Sequence, residues 1–342
     1  MIKEILDNIE SIDASNLNLY FISRKVKSNL KNKRKVVEKY DFTAYRVEID
    51  SEIRNYLYNL SSDQLKYAIK KEYELIEYDV IFDDTDNIYT YQVKNKVFSF
   101  MSVINEQLPF KSIIRTIQNL SEIIENEELW AYCIAFTYFD ENDKENELYT
   151  FRKISSGKVA VDEGDNINKK YAQYIRTFFS TKSNKLELLH GETVNLDKQI
   201  DCIYKGDTFF ILQKKQFESL VGLEEDFKEE AISTVEELNA TGKFCGIENI
   251  SAEVENNTAI HKKLIKIKRL SHYSNINKSM ITKMKKAGKK EKYILKTDDN
   301  GRIIIENKND VNMIIKLLCD YYKEGVVTGN SYGTFSGKLI TN

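Results

Sequence analysis

Apolar positions in the first half of the chain switch between two periods. Residues 2–12 put Ile2, Ile5, Leu6 and Ile9 on one side, the spacing of an amphipathic helix. Leu17 to Ile22 alternates instead, with Leu17, Leu19 and Phe21 on one side. Phe42 to Ile49 alternates less regularly, and both stretches predict strands. Two short helices fit 51–60 and 62–72, and 79–86 reads as an acidic turn before a strand at 88–93. Ile113, Ile114, Ile117, Leu120 and Ile124 predict a helix over 110–125. Trp130 to Phe139 is almost continuously apolar and predicts a buried strand, with 148–153 as its hairpin partner.

The second half begins with short strands at 186–189, 200–204 and 208–212. Lys205-Gly206-Asp207 joins the last two as a tight hairpin turn, with glycine where the backbone needs unusual dihedrals. Helices are predicted at 213–220, 224–239, 251–256, 258–271, 276–287 and 308–320, with a turn at Asp298–Gly301 leading into a strand at 302–305. Strands mixed with runs of helices argue an α+β fold. At 342 residues the chain is long enough for two domains. The expected division is an N-terminal α+β domain over 1–160 and a C-terminal domain over 186–342, the latter a small sheet with a helical basic region.

Composition narrows the function classes. The longest nearly apolar run, Leu129 to Phe139, is about half of the roughly 20 residues a spanning helix needs. The opening Met1-Ile2-Lys3-Glu4 lacks the basic start and apolar stretch of a signal peptide, so a cytoplasmic location is expected. Cys133, Cys202, Cys245 and Cys319 form no CxxC pair, so neither a disulfide framework nor a zinc ribbon is indicated. The net charge of −2 hides a segregation: 262–296 carries +12, 24–39 carries +7, and the remainder is acidic. Basic islands on an acidic body are the electrostatic footprint of a polyanion partner.

The larger island falls on two predicted helices. Ile260, Leu264 and Ile267 share one face of the first, with Lys262, Lys266 and Arg269 opposite. In the second, Ile276, Met280, Met284 and Ala287 form the apolar stripe, and Lys278 and Lys285 lie opposite. Gly288 reads as a helix stop, after which Lys289, Lys290 and Lys292 run into a loop. Lys262, Lys266, Arg269, Lys278, Lys283, Lys285, Lys286, Lys289 and Lys290 are the candidate nucleic-acid contacts. Lysines neutralise phosphates as point charges, while bidentate base reading favours arginine, so binding without sequence preference is expected. His272 and Tyr273 lie between the two helices, where packing or exposure is expected before base stacking.

Catalytic signals are weaker. His190, His261 and His272 have no metal-ligand spacing, and no GxSxG, Walker loop or GxGxxG occurs, so neither metal nor cofactor is expected. One near-match is the strand–Gln–x–Lys pattern of metal-dependent nucleases, formed by Asp201 with Gln213 and Lys215. A second firm acid is missing from it, and such a pattern arises by chance in a lysine-rich chain. A metal-dependent nuclease is therefore one alternative. A non-catalytic adaptor for an acidic partner or an anionic membrane surface is another.

Asp201-Cys202-Ile203 followed by Thr208 to Glu218, with Lys214-Lys215-Gln216-Phe217-Glu218 at its end, forms one motif. Ile314 to Tyr322, then Thr328-Gly329, Tyr332 and Lys338, forms another. In order and spacing both resemble the KwaB-like proteins of the bacterial Kiwa anti-phage defence system, over roughly 186–342. Glu324-Gly325 and the lysine density depart from that pattern. The resemblance implies a cytoplasmic, DNA-binding defence protein that works with a KwaA-like membrane protein; a homodimer, recruited to the inner face of the membrane by that partner, is the expected state. It singles out Phe217, Glu218, Asp320, Thr328, Gly329, Tyr332 and Lys338 as family-motif residues, with Phe217 and Tyr332 expected to pack and Asp320 to cap or pair with Lys338.

Overall fold

A computed structural model describes residues 1–29, 38–82, 86–93, 99–139, 142, 144–160, 177–180, 182–188, 191–270 and 272–335. They form two compact units, one of Met1–Tyr78 with Thr85–Gly222 and one of Asp79–Asp84 with Leu223–Asn342. The fold is α+β, as the mixture of periods predicts.

The first unit is built on one eight-stranded sheet. Its order is Glu38–Val47, Leu17–Asn29, Glu128–Phe139, Glu145–Lys153, Cys202–Lys205, Thr208–Ile211, Asn87–Gln92 and Glu74–Glu77. All neighbours are antiparallel except the last pair. Leu17, Leu19 and Phe21, with Tyr132, Ile134 and Phe136, join a core with Ile5, Ile9, Leu57 and Leu65 of the helices Ile2–Glu10 and Ser51–Lys70. The opposite face carries a file of rings: Phe42 lies 5.3 Å from Phe100, Phe100 5.4 Å from Phe151, and Phe209 5.1 Å from Phe217. A strand covered on both faces needs apolar residues at every position, which is why Glu128–Phe139 shows no alternation.

Three expectations are corrected here. The domain division falls at Gly222 rather than between 160 and 186, because Cys202–Lys205 and Thr208–Ile211 complete the first unit's sheet. The two helices at 51–60 and 62–72 are one, Ser51–Lys70. Ser61 and Ser62 return their hydroxyls to the Leu57 and Asn59 carbonyls at 3.1 and 3.2 Å instead of breaking it. The helix expected over 110–125 is only a 3-10 turn at Lys111–Ile113 and a short helix at Ser121–Ile124. Between them the chain pairs with the Glu38–Val47 edge: Arg46 N donates to Arg115 O at 2.9 Å, and Ile117 N to Arg46 O at 3.0 Å. The free edge of a sheet took those amides before a helix could.

The second unit is mainly helical, with Leu223–Ala240, Glu248–Asn256, His261–Leu270, Lys278–Gly288 and Lys308–Leu318 around one core. Leu238, Ile250, Leu264, Ile267, Ile303, Val311 and Ile314 lie at its centre. Two short sheets complete it, Phe244–Cys245 with Ile303–Ile304 and Tyr322–Glu324 with Ser331–Gly333. Among the described residues no helix is long and apolar enough to cross a membrane.

Candidate nucleic-acid interface

The His261–Leu270 helix buries Leu264, Ile265 and Ile267, so its basic residues point away from the core. They do not form a free ridge. Lys266 is half-buried, its Nζ donates to the Phe335 carbonyl at 2.5 Å, and burial lowers its pKa. Arg269 Nη1 sits 2.8 Å from Asp79 Oδ2, and Lys268 Nζ 2.8 Å from Glu237 Oε1. That lysine and Tyr273 hold the Glu237 carboxyl below its usual range. Lys262 and Lys263 lie over the Phe227 and Phe335 rings at 5.4 and 4.4 Å. The expected ridge of Lys262, Lys266 and Arg269 is thus largely engaged within the unit. Tyr273 is buried and donates to Glu237 at 2.5 Å, while His272 is half-buried.

The Lys278–Gly288 helix differs. Asn277 caps it, Oδ1 accepting from Met280 N at 3.0 Å. Met284 is buried, and Met280, Ile281 and Ala287 pack on the same core. The other side is exposed: Lys283, Lys286 and Lys290 follow at i, i+3 and i+7, one above another, with Lys278 and Lys289 beside them. Among the described residues Lys285 and Lys290 bond only hydroxyls, Thr297 Oγ1 at 3.1 Å and Ser331 Oγ at 2.8 Å, and no carboxylate there compensates their charges. Among the described residues Lys278, Lys283, Lys286, Lys289 and Lys292 make no ion pair. The nearby acid in sequence, Glu291, is taken by Lys316 at 2.6 Å.

Gly288 is helical rather than the left-handed stop expected of it; Lys292 takes the left-handed conformation with φ 58°. A Cβ on Gly288 would lie 3.2 Å from the Tyr293 ring and 3.3 Å from its carbonyl. Glycine is therefore there for close approach. It lets Tyr293 turn inward and donate to Asp310 Oδ1 at 3.0 Å, which folds the lysine turn back on the unit.

The smaller island is divided as well. Arg24 pairs with Glu128 at 2.8 Å and lies 3.2 Å over the Trp130 ring, while Lys27 pairs with Asp41 at 2.8 Å. Residues 30–37 of that island, His190 and Lys338 lie outside the described residues. His261 is buried, its Nε2 2.9 Å from the Val254 carbonyl.

Asp201 and Gln213 meet through the backbone, and no bond among the described residues joins Lys215 to either. Gln213 N donates to Asp201 O at 2.9 Å, but the Gln213 and Lys215 side chains are exposed. The Asp201 carboxylate is fully buried, paired with Arg152 and accepting from Lys153 N at 2.7 Å. Arg152 also bonds Asp197 at 2.7 Å. Burial lifts the Asp201 carboxyl to about 6, although Arg152 and the Lys153 amide act the other way. This arrangement ties strand ends together. Among the described residues no group of three or more His, Cys, Asp or Glu side chains could hold a metal ion. A half-open pocket of about 340 Å³ in the first unit is lined by Asn18, Arg46, Arg54 and Thr116. Arg54 gives both its terminal nitrogens to the Ser15 and Ile49 carbonyls.

The motif residues divide by burial. Phe217 packs against Phe209, and Glu218 accepts from the Tyr78 hydroxyl at 2.7 Å. Asp320 is exposed in a left-handed conformation with φ 49°. Thr328 and Gly329 sit in the turn between Tyr322–Glu324 and Ser331–Gly333, and Tyr332 is exposed rather than packed. Sequence reasoning missed Arg152, Asp197 and the Arg24–Trp130 contact; no pattern in the chain pairs residues so far apart.

Comparison with known proteins gives one match. The family model described as Kiwa protein KwaB-like covers residues 126–328, more than half of the chain. It begins before the expected 186, at the Glu128–Phe139 strand, and ends at Thr328. No curated protein and no solved structure matches.

Proposed function

The chain belongs to the Kiwa protein KwaB-like family, whose system is an anti-phage defence, and from that premise we propose that it binds DNA without sequence preference and acts with a KwaA-like membrane protein. The observation that supports this reading is the exposed row Lys278, Lys283 and Lys286 on a helix whose other side is anchored in the core, continued by Lys289 and Lys290 in the turn that follows it. Phosphates are spaced closely enough along a duplex for such a row to displace several counterions at once. The residues are lysines, suited to phosphate oxygens and not to the forked reading of guanine. Binding along the phage DNA would impede its processing, and a homodimer would double the row. The membrane partner would hold this activity at the inner face of the membrane.

The test is duplex binding by fluorescence anisotropy. Lys283→Glu with Lys286→Glu and Lys289→Glu is expected to weaken binding at least tenfold at moderate salt, with unchanged melting temperature. Arg269→Ala, which removes an engaged cation, is expected to change affinity by less than about twofold. Equal loss in both variants would overturn the assignment of the row. Intact duplex in the presence of magnesium is expected throughout; cleavage lost in Asp201→Ala would favour the nuclease alternative.

A further inference from the structure

We propose that the turn between Tyr322–Glu324 and Ser331–Gly333 is a lipid-inserting knuckle that docks the second unit on an anionic membrane surface. Two adjacent valines stand at its tip, Val326 at 101% and Val327 at 97% exposure. Side chains that water surrounds so fully gain most from any apolar medium they can reach. The turn that holds them out is closed by its own bonds. Gly325 N donates to Asn330 O at 2.9 Å and Gly329 N to Gly325 O at 2.7 Å. Beneath it the strands pair as Tyr322 with Gly333, Lys323 with Tyr332 and Glu324 with Ser331. The base is fixed by Tyr321, whose ring lies 4.7 Å from that of Phe335.

Cations flank this tip. Lys290 Nζ reaches Ser331 Oγ, in the last paired rung before the turn, at 2.8 Å. The Lys289, Lys290 and Lys292 turn therefore stands at the knuckle's shoulder, and Lys323 is exposed on the rung below. Glu324 is the acid at the Ser331 rung; Glu291 is neutralised by Lys316. Tyr332, in the middle of the Ser331–Gly333 strand, is exposed, an amphipathic ring suited to headgroup depth.

The shape selects the partner. A protein-docking site offers an extended patch, whereas this is a small projecting tip. A duplex offers phosphates to the lysines but no apolar layer for the valines. An anionic bilayer supplies both, with hydrocarbon for Val326 and Val327 beneath phosphates for the lysines, and stable attachment needs two such signals together. This inference does not rest on the DNA reading, and the valines separate the two.

The experiment is co-sedimentation of the full chain with phosphatidylcholine vesicles, with and without phosphatidylglycerol, beside the DNA-binding assay. Wild type is expected to pellet with the anionic vesicles and not with the neutral ones. Val326→Ser with Val327→Ser, which removes the apolar tip without changing the charge, is expected to weaken that binding about tenfold, with unchanged melting temperature and DNA affinity. Val326→Leu with Val327→Leu is expected to retain it. No binding by wild type would overturn the proposal. So would a serine variant that pellets as well as wild type, since the lysines alone would then explain attachment. Loss of DNA and vesicle binding together would also overturn it, by making the tip part of one general polyanion surface.

Discussion

Asp201 sits between the Arg152 guanidinium and the Lys153 amide, with no exposed surface. Its carboxyl titrates near 6 in the folded chain against an ordinary value of 3.8. Between those values the folded state holds the proton more tightly than the unfolded state. This group's contribution to stability is therefore complete below the lower value and is lost as pH rises through the upper one. Asp201→Asn keeps the shape without the titration. Urea melts at the two ends of that window should show the gap between wild type and variant narrowing by up to about 3 kcal/mol as pH rises. A gap that does not move with pH would contradict the assignment. At this scale the sequence was only half legible. Asp201 was visible as an acid at a strand start. Its partner lies 49 positions away and is brought near by sheet pairing alone.

Elements were read best where local signals and packing agree. The Lys205–Thr208 hairpin turn has Gly206 and Asp207 at φ 54° and 59°, the left-handed pair that twisted strands prefer. The Lys308–Leu318 helix opens with a capping box, Asn307 Oδ1 accepting from Asp310 N at 3.1 Å while Asp310 returns to Asn307 N at 3.3 Å. Asn307→Ala should cost about 1 kcal/mol in thermal denaturation. Asn309→Ala, two positions after the cap and exposed, should cost under about 0.5 kcal/mol. Residues 110–125 failed because helical spacing of isoleucines does not outweigh an open sheet edge offering partners to Arg115 and Ile117. The basic helices show the same limit. A wheel assigns faces, but it cannot say that Asp79 and Glu237 would neutralise Arg269 and Lys268, leaving Lys278–Gly288 as the exposed one.

For the whole molecule, the segregation of charge predicts how binding responds to salt. With about five lysines releasing counterions, the log–log slope of DNA affinity against salt should be about −4.5, and a slope near zero would remove the polyanion reading. The triple reversal of Lys283, Lys286 and Lys289 should flatten it by roughly 3. The sequence by itself determined the α+β class, most helices and strands of both units, the basic segment and the family motifs. These depend on hydrophobic period, turn chemistry and net charge, which a chain carries locally. Only the tertiary structure decided the division at Gly222, the pairing of Asp201, and which lysines keep their charge uncompensated. It alone decided, too, that Val326 and Val327 stand clear of the core. Each of these depends on what another part of the chain supplies or withholds at a given point in space, and a residue's type does not encode its distant neighbour.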